Sequence, residues 1–162
     1  MRICEFFTKI CGIICMSFIN TNLIKKMSII WKPEYSVGVK EIDAQHQRLV
    51  ELINQTYDSV YKNSSKDETL KIVQAVLDHG ILHFKTEEKY FDKFHYPLAE
   101  EHKKEHVKLL ANASSFKTKI NDSVDYKKET MNFLDFLEDW LVDHMMVQDK
   151  KYSVFFNQNG LY

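Results

Sequence analysis

Cysteine is absent after Cys15, so most of this 162-residue chain has no disulfide to hold it and no thiolate to offer a metal. That usage suits a reducing compartment, and a cytoplasmic location is expected. Glycine and proline are also scarce, at four and two residues, which disfavours strands joined by tight turns and favours long helices. Charge of neither sign is in excess: 22 basic and 23 acidic residues leave a formal net charge of −1. A chain so balanced lacks the electrostatic footprint for nucleic acid or an anionic membrane. A long apolar run is missing too. The one short run, residues 10–19, lies between Arg2 and Lys9 on one side and Lys25 and Lys26 on the other, and is too short for a comfortable bilayer span. No stable membrane association is expected.

Residues 1–26 differ in character from the rest of the chain and are read as a leader apart from a folded domain at 27–162. The leader is an artefact of an upstream start ahead of Met27 or a disordered stretch; a weak export or membrane-association signal and a structured extra segment are the alternatives. No small-x-small cleavage site is clear in it. No functional residue is assigned to it.

What is abundant is apolar residues at helical spacing. Ile42, His46, Leu49, Val50, Ile53, Tyr57 and Val60 recur at three- and four-residue steps, the stripe of an amphipathic helix, with Asp43 as its cap. Asn63-Ser64-Ser65 breaks the pattern, and Ser65 or Asp67 caps a second helix. Its stripe is Val73, Val76, Leu77, Gly80, His83, Phe84, Glu87, Phe91 and Phe94. It stops near His95-Tyr96-Pro97, because the residue before proline disfavours helical geometry. A third stripe, Leu98, His102, His106, Leu109, Leu110, Ala113, Phe116 and Ile120, ends at Asn121-Asp122-Ser123. A fourth begins near Tyr126 and takes in Phe133, Leu134, Leu137, Trp140, Leu141, His144 and Met145 or Gln148. Short connections between long helices make neighbours antiparallel, so the expected fold is all-α, an up-down-up-down four-helix bundle.

The informative feature is histidine inside those stripes. His46, His83, His102, His106 and His144 face the expected core, and every helix supplies at least one. Glu87 and Asp149 join them. Burying so many polar groups is costly unless something pairs them, and a shared metal site removes that cost. His83 and Glu87, and His102 and His106, stand four apart and share a helix face. His144 and Asp149 stand five apart, roughly 140° out of alignment in an ideal α-helix, so a π-turn or end distortion is expected there. With no thiolate available, the donor types suit iron, manganese, copper or zinc. If both carboxylates bridge two octahedral ions and an oxo or hydroxo group joins them, these side chains fill all but one position. That vacancy suits a small diatomic ligand. Singly, each residue has a plainer explanation: a hydrogen-bonded core histidine, an adventitious surface pair, a solvated acid. Together they point to a metal site.

These residues resemble the hemerythrin family, and within it the single-domain bacterial kind. The resemblance covers about Trp31 to Tyr152 and rests on Ile42-Asp43-x-Gln45-His46, His83-Phe84-x-x-Glu87-Glu88, His102-x-x-x-His106 and His144-x-x-x-x-Asp149. It implies two non-haem iron ions with a bridging oxo or hydroxo group, and no haem. One iron would take His102, His106 and His144. The other would take His46 and His83 and keep the open position, with Glu87 and Asp149 bridging. Dioxygen would bind reversibly there, beside an apolar pocket of Leu49, Phe84, Trp140 and Leu141, which also read as ordinary core. His79, His95 and Asp43 fall outside the ligand set, Asp43 as the helix cap or as a group supporting the ligands, and Tyr152 is placed to hydrogen-bond toward the site.

The implied role is a dioxygen carrier, store or local supplier rather than an enzyme. The alternatives are a di-iron enzyme acting on peroxide or nitric oxide, and an oxygen sensor working through a separate partner. Protein partners are not legible in the sequence.

Overall fold

The apolar stripes set where helices form, and the polar breaks set where they stop. The computed structural model describes residues 28–162; the expected leader at 1–26 and its boundary at Met27 lie outside them. A 3₁₀ turn, Pro33–Tyr35, precedes α1 (Lys40–Tyr61), α2 (Lys66–Phe94), α3 (Ala99–Asp122) and α4 (Tyr126–Trp140). A π-helical segment, Leu141–Gln148, and α5 (Asp149–Gln158) continue α4 without a break, so the three form one fourth rod. Among the described residues there is no strand, and no helix is long and apolar enough to cross a membrane. α1 packs on α2 and α4, and α3 packs on the same two. The short connections therefore make an up-down-up-down antiparallel bundle.

The helix ends follow local chemistry. Ser65 caps α2: its hydroxyl accepts from the Glu68 N–H at 3.3 Å, and the Glu68 carboxylate accepts from the Ser65 N–H at 2.9 Å. This reciprocal pairing satisfies two otherwise orphaned donors. α2 ends where His95 adopts a left-handed conformation, φ 55°. Asp125 caps α4 by accepting from the Lys128 N–H at 3.2 Å.

α1 departs from expectation. It begins at Lys40, after Val39, and no side chain caps it. Asp43 lies inside the first turn instead, where its carboxylate accepts from the Val37 N–H at 2.7 Å and the Ser36 hydroxyl at 2.5 Å. It ties the preceding segment to α1 rather than closing the helix end. Leu98, expected in the α3 stripe, is 44% exposed, because it sits just outside the helix as its capping residue.

The core has two apolar clusters. Leu49, Ile53, Val73, Leu77, Phe133, Leu134 and Met145 belong to one. Ile42, Phe91, Tyr96, Tyr152 and Phe156 belong to the other. Each such large side chain contributes about 1.5–3 kcal/mol on burial. Along every rod a polar residue separates the two clusters, and those residues form a buried layer across the bundle.

Gly38 joins the approach segment to the fourth rod. Its φ is 71°, and a Cβ there would stand 3.0 Å from Asn157 Oδ1. The Asn157 amide also donates to the Gly38 carbonyl at 3.0 Å. Both the left-handed backbone and the close approach require glycine. Gly38→Ala is expected to lower stability by about 1–2 kcal/mol, the cost of the left-handed backbone with a side chain. Urea denaturation checks it; an unchanged midpoint would contradict the reading.

Candidate metal centre

The polar layer draws on all four rods. α1 supplies His46, α2 supplies His83 and Glu87, and α3 supplies His102 and His106. The fourth rod supplies His144 from its π-helical segment and Asp149 from the start of α5. All seven are buried, Glu87 and Asp149 completely. The four-residue pairs share a face through ordinary α-helical winding. The five-residue pair does so through the π-helix: the Asp149 N–H reaches the His144 carbonyl, five residues back, and His144 Nε2 stands 3.3 Å from Asp149 Oδ1.

Each carboxylate turns one oxygen to each side of the layer. Glu87 Oε1 is 3.5 Å from His83 Nε2, while Oε2 is 3.0 Å from His106 Nε2 and 3.6 Å from His102 Nε2. Asp149 Oδ2 is 3.3 Å from His46 Nε2, and Oδ1 is 3.2 Å from His102 Nε2. His46 and His83 bring their Nε2 atoms to 3.2 Å. Two overlapping sets result, each with donor atoms within 4.8 Å of one another: Glu87, His102, His106 and His144; and His46, His83, Glu87 and Asp149.

The His46 and His83 Nε2 atoms pair with each other, but most of the other facing atoms are close without being hydrogen-bonded. Glu87 Oε2, both Asp149 oxygens and the Nε2 atoms of His102, His106 and His144 are buried without a hydrogen-bond partner. An unpartnered buried polar atom costs about 1–3 kcal/mol, and more when charged. Six such atoms aimed at common points fit a cation between them, and the donor set suits a transition metal. The residues present therefore fit a metal pair.

Protonation follows the same layout. Burial pushes the His83 imidazole down to about 3, against the pull of Glu87. Burial also lowers His144. Burial would lower His102, but Asp149 and Glu87 outweigh it and raise His102 to about 9. Burial works against charge on Glu87, yet His83, His102 and His106 hold its carboxyl well below the usual range. Asp149 is lowered as well: burial and the Glu87 charge oppose ionisation, and His144, His102 and His46 favour it. Ionised carboxylates beside neutral imidazoles offer lone pairs to a cation, and a metal that takes His102 displaces a proton.

Other residues hold these in place. His106 Nδ1 lies 2.9 Å from Glu88 Oε1, and His83 Nδ1 lies 3.2 Å from Gln45 Oε1. The Tyr152 hydroxyl, fully buried, donates to Glu87, which agrees with its expected direction. Sequence reasoning gave Gln45 and Glu88 no role; their position beside His46 and Glu87 was the available signal. His79 stands apart from the cluster and pairs with the Gln45 backbone carbonyl at 2.8 Å. His95 is exposed at the end of α2.

The expected pocket residues are all buried. Leu49, Phe84 and Trp140 line an apolar cavity of about 30 Å³, with Gly80, Leu77 and Leu110. Leu141 is buried but does not line it. Phe84 stacks on His106 with ring centroids 3.9 Å apart, and Trp140 stacks on His144 at 5.7 Å. Two aromatic walls thus separate the cavity from the imidazoles.

Comparison with known proteins agrees with this geometry. Residues 37–154 match the hemerythrin HHE cation binding domain. The chain is 30% identical to the bacteriohemerythrin of Clostridium acetobutylicum, over 76% of this chain and 97% of that one. It is 32% identical to the hemerythrin-like protein of Naegleria gruberi, over 76% of this chain and 89% of that one. A crystal structure of wild-type hemerythrin superposes with a TM-score of 0.67 at 27% identity, covering 78% of this chain and 95% of that one. The buried donors from four rods, the matched domain and the shared bundle have one common explanation: this chain belongs to the hemerythrin family.

Proposed function

We propose that the domain holds two iron ions in its polar layer and takes up dioxygen reversibly, as a carrier, store or local supplier rather than as an enzyme. One observation carries this reading: buried imidazole and carboxylate donors, six of their facing atoms without a hydrogen-bond partner, converge in two overlapping sets that share Glu87. His102, His106 and His144 would hold one ion, and His46 and His83 the other, with Glu87 and Asp149 common to both. Iron supplies the reversible redox pair that dioxygen uptake requires. The two-histidine side is one imidazole short, which leaves room for a small ligand.

The surrounding residues favour binding over turnover. Glu87 and Asp149 present one oxygen to each side, so they would hold two cations together and offset their charge. The Tyr152 hydroxyl fixes the Glu87 orientation. Leu49, Phe84 and Trp140 keep water from the imidazoles, and the apolar cavity of about 30 Å³ that they line has room for a small molecule. No titratable side chain lines that cavity, so it offers no acid or base for processing a substrate. Ferritin-like di-iron proteins place four carboxylates and two histidines around their metals. Five imidazoles and two carboxylates stabilise the oxidised metal less, which suits release of the ligand.

Metal analysis is expected to give two irons per chain; stoichiometric zinc without iron would contradict the reading. Oxygen admitted to the anaerobically reduced protein should produce a visible charge-transfer band that disappears when oxygen is removed. Rapid, irreversible conversion to a ferric form would instead favour an enzyme acting on peroxide or nitric oxide. Replacing His102 or His106 by alanine should remove iron, whereas His95→Ala should leave content and spectrum unchanged.

A further inference from the structure

The nitrogens of His106 and His83 that point away from the layer meet different partners. His106 Nδ1–H donates to the Glu88 carboxylate at 2.9 Å. The Phe84 ring lies on the imidazole face, tilted by only 7°. His106 is thereby fixed between two acids, with Glu88 at Nδ1 and Glu87 at Nε2.

His83 meets a neutral amide. The Thr86 hydroxyl donates to the Leu82 carbonyl at 3.0 Å, which uses its only proton. Toward Gln45 it must therefore accept, and the Gln45 Nε2–H₂ donates to it at 3.0 Å. That fixes the amide with Oε1 toward His83, so His83 Nδ1 must carry the proton and Nε2 the lone pair. His79 steadies the same residue, its Nε2–H donating to the Gln45 carbonyl at 2.8 Å.

A carboxylate behind an imidazole raises its strength as a metal donor, whereas an amide mainly fixes its tautomer and plane. We propose that Glu88 and Gln45 make the two halves of the centre unequal, so that the half built on His102, His106 and His144 fills first and more tightly. Gln45 is the positioning residue of the other half and adds no charge to it. This rests on the two-metal reading above.

The test titrates metal-free protein anaerobically with cobalt(II) against a competing chelator, following the visible cobalt bands. The wild-type chain is expected to bind two ions in separate steps. Glu88→Gln keeps the acceptor and removes only the charge. It should weaken the first step by about 10–100-fold, leave the second unchanged and alter only the first-step spectrum. Gln45→Leu should weaken the second step alone, and Gln45→Glu should strengthen it and narrow the gap. Far-UV circular dichroism on each variant shows that the bundle is intact, and the near-isosteric Glu88→Gln and Gln45→Glu keep the test decisive if Gln45→Leu does not fold. If Glu88→Gln changes neither step, or weakens both equally, the proposal is overturned while the two-metal reading stands. Fewer than two cobalt ions on the wild-type chain would overturn both.

Discussion

Two carboxylates, Glu87 and Asp149, lie in the middle of the bundle with no exposure to water. Charge in such a place persists only if it is paired, and this constraint organises the rest of the structure. Among the described residues no lysine or arginine pairs with either group; their neighbours are the imidazoles of five histidines and, at Glu87, the Tyr152 hydroxyl. His102 is raised toward its charged form, but one imidazolium does not neutralise two carboxylates, and most of the facing atoms make no hydrogen bond. The metal-free layer is therefore held together at a cost, offset by the apolar clusters on either side of it. Cations between the donors would remove that cost, which couples metal binding to stability in this fold.

The fourth rod shows what the site demands of the backbone. α1, α2 and α3 deliver their donors with ordinary α-helical spacing. The fourth must deliver His144 and Asp149, five residues apart, and over Leu141–Gln148 its winding changes from α to π. Beyond that segment Tyr152 and Phe156 return to the core. The altered winding thus serves the donors without rotating the rest of the rod away from its partners.

Much of this was legible in the residues. Spacing gave four helices and their breaks, and the awkward five-residue step at His144 and Asp149 pointed to a π distortion. It did not give the length of that distortion, because backbone winding over eight residues depends on what the rod packs against. Asp43 misled as a cap: its carboxylate was suited to a helix end, but the tertiary path of Ser36 and Val37 drew it elsewhere. Leu98 fitted the α3 period and yet lies outside the helix. Gln45 and Glu88 sat beside His46 and Glu87 without a role, since their meaning depends on which atom each faces across two helices. Leu49, Phe84 and Trp140 were expected beside a pocket, but Gly80 and Leu110 in the cavity lining were not, because a void belongs to no single helix.

The bundle can be read as three nested requirements. Apolar clusters hold the rods, the polar layer gathers the donors, and outer groups such as Glu88, Gln45 and Tyr152 aim them. Anomalous diffraction at the iron absorption edge, on crystals of the metal-loaded protein, tests the central claim most directly. The account predicts two adjacent peaks, one against His102, His106 and His144 and the other against His46 and His83, with Glu87 and Asp149 touching both. A single peak, or iron bound away from this layer, would contradict it.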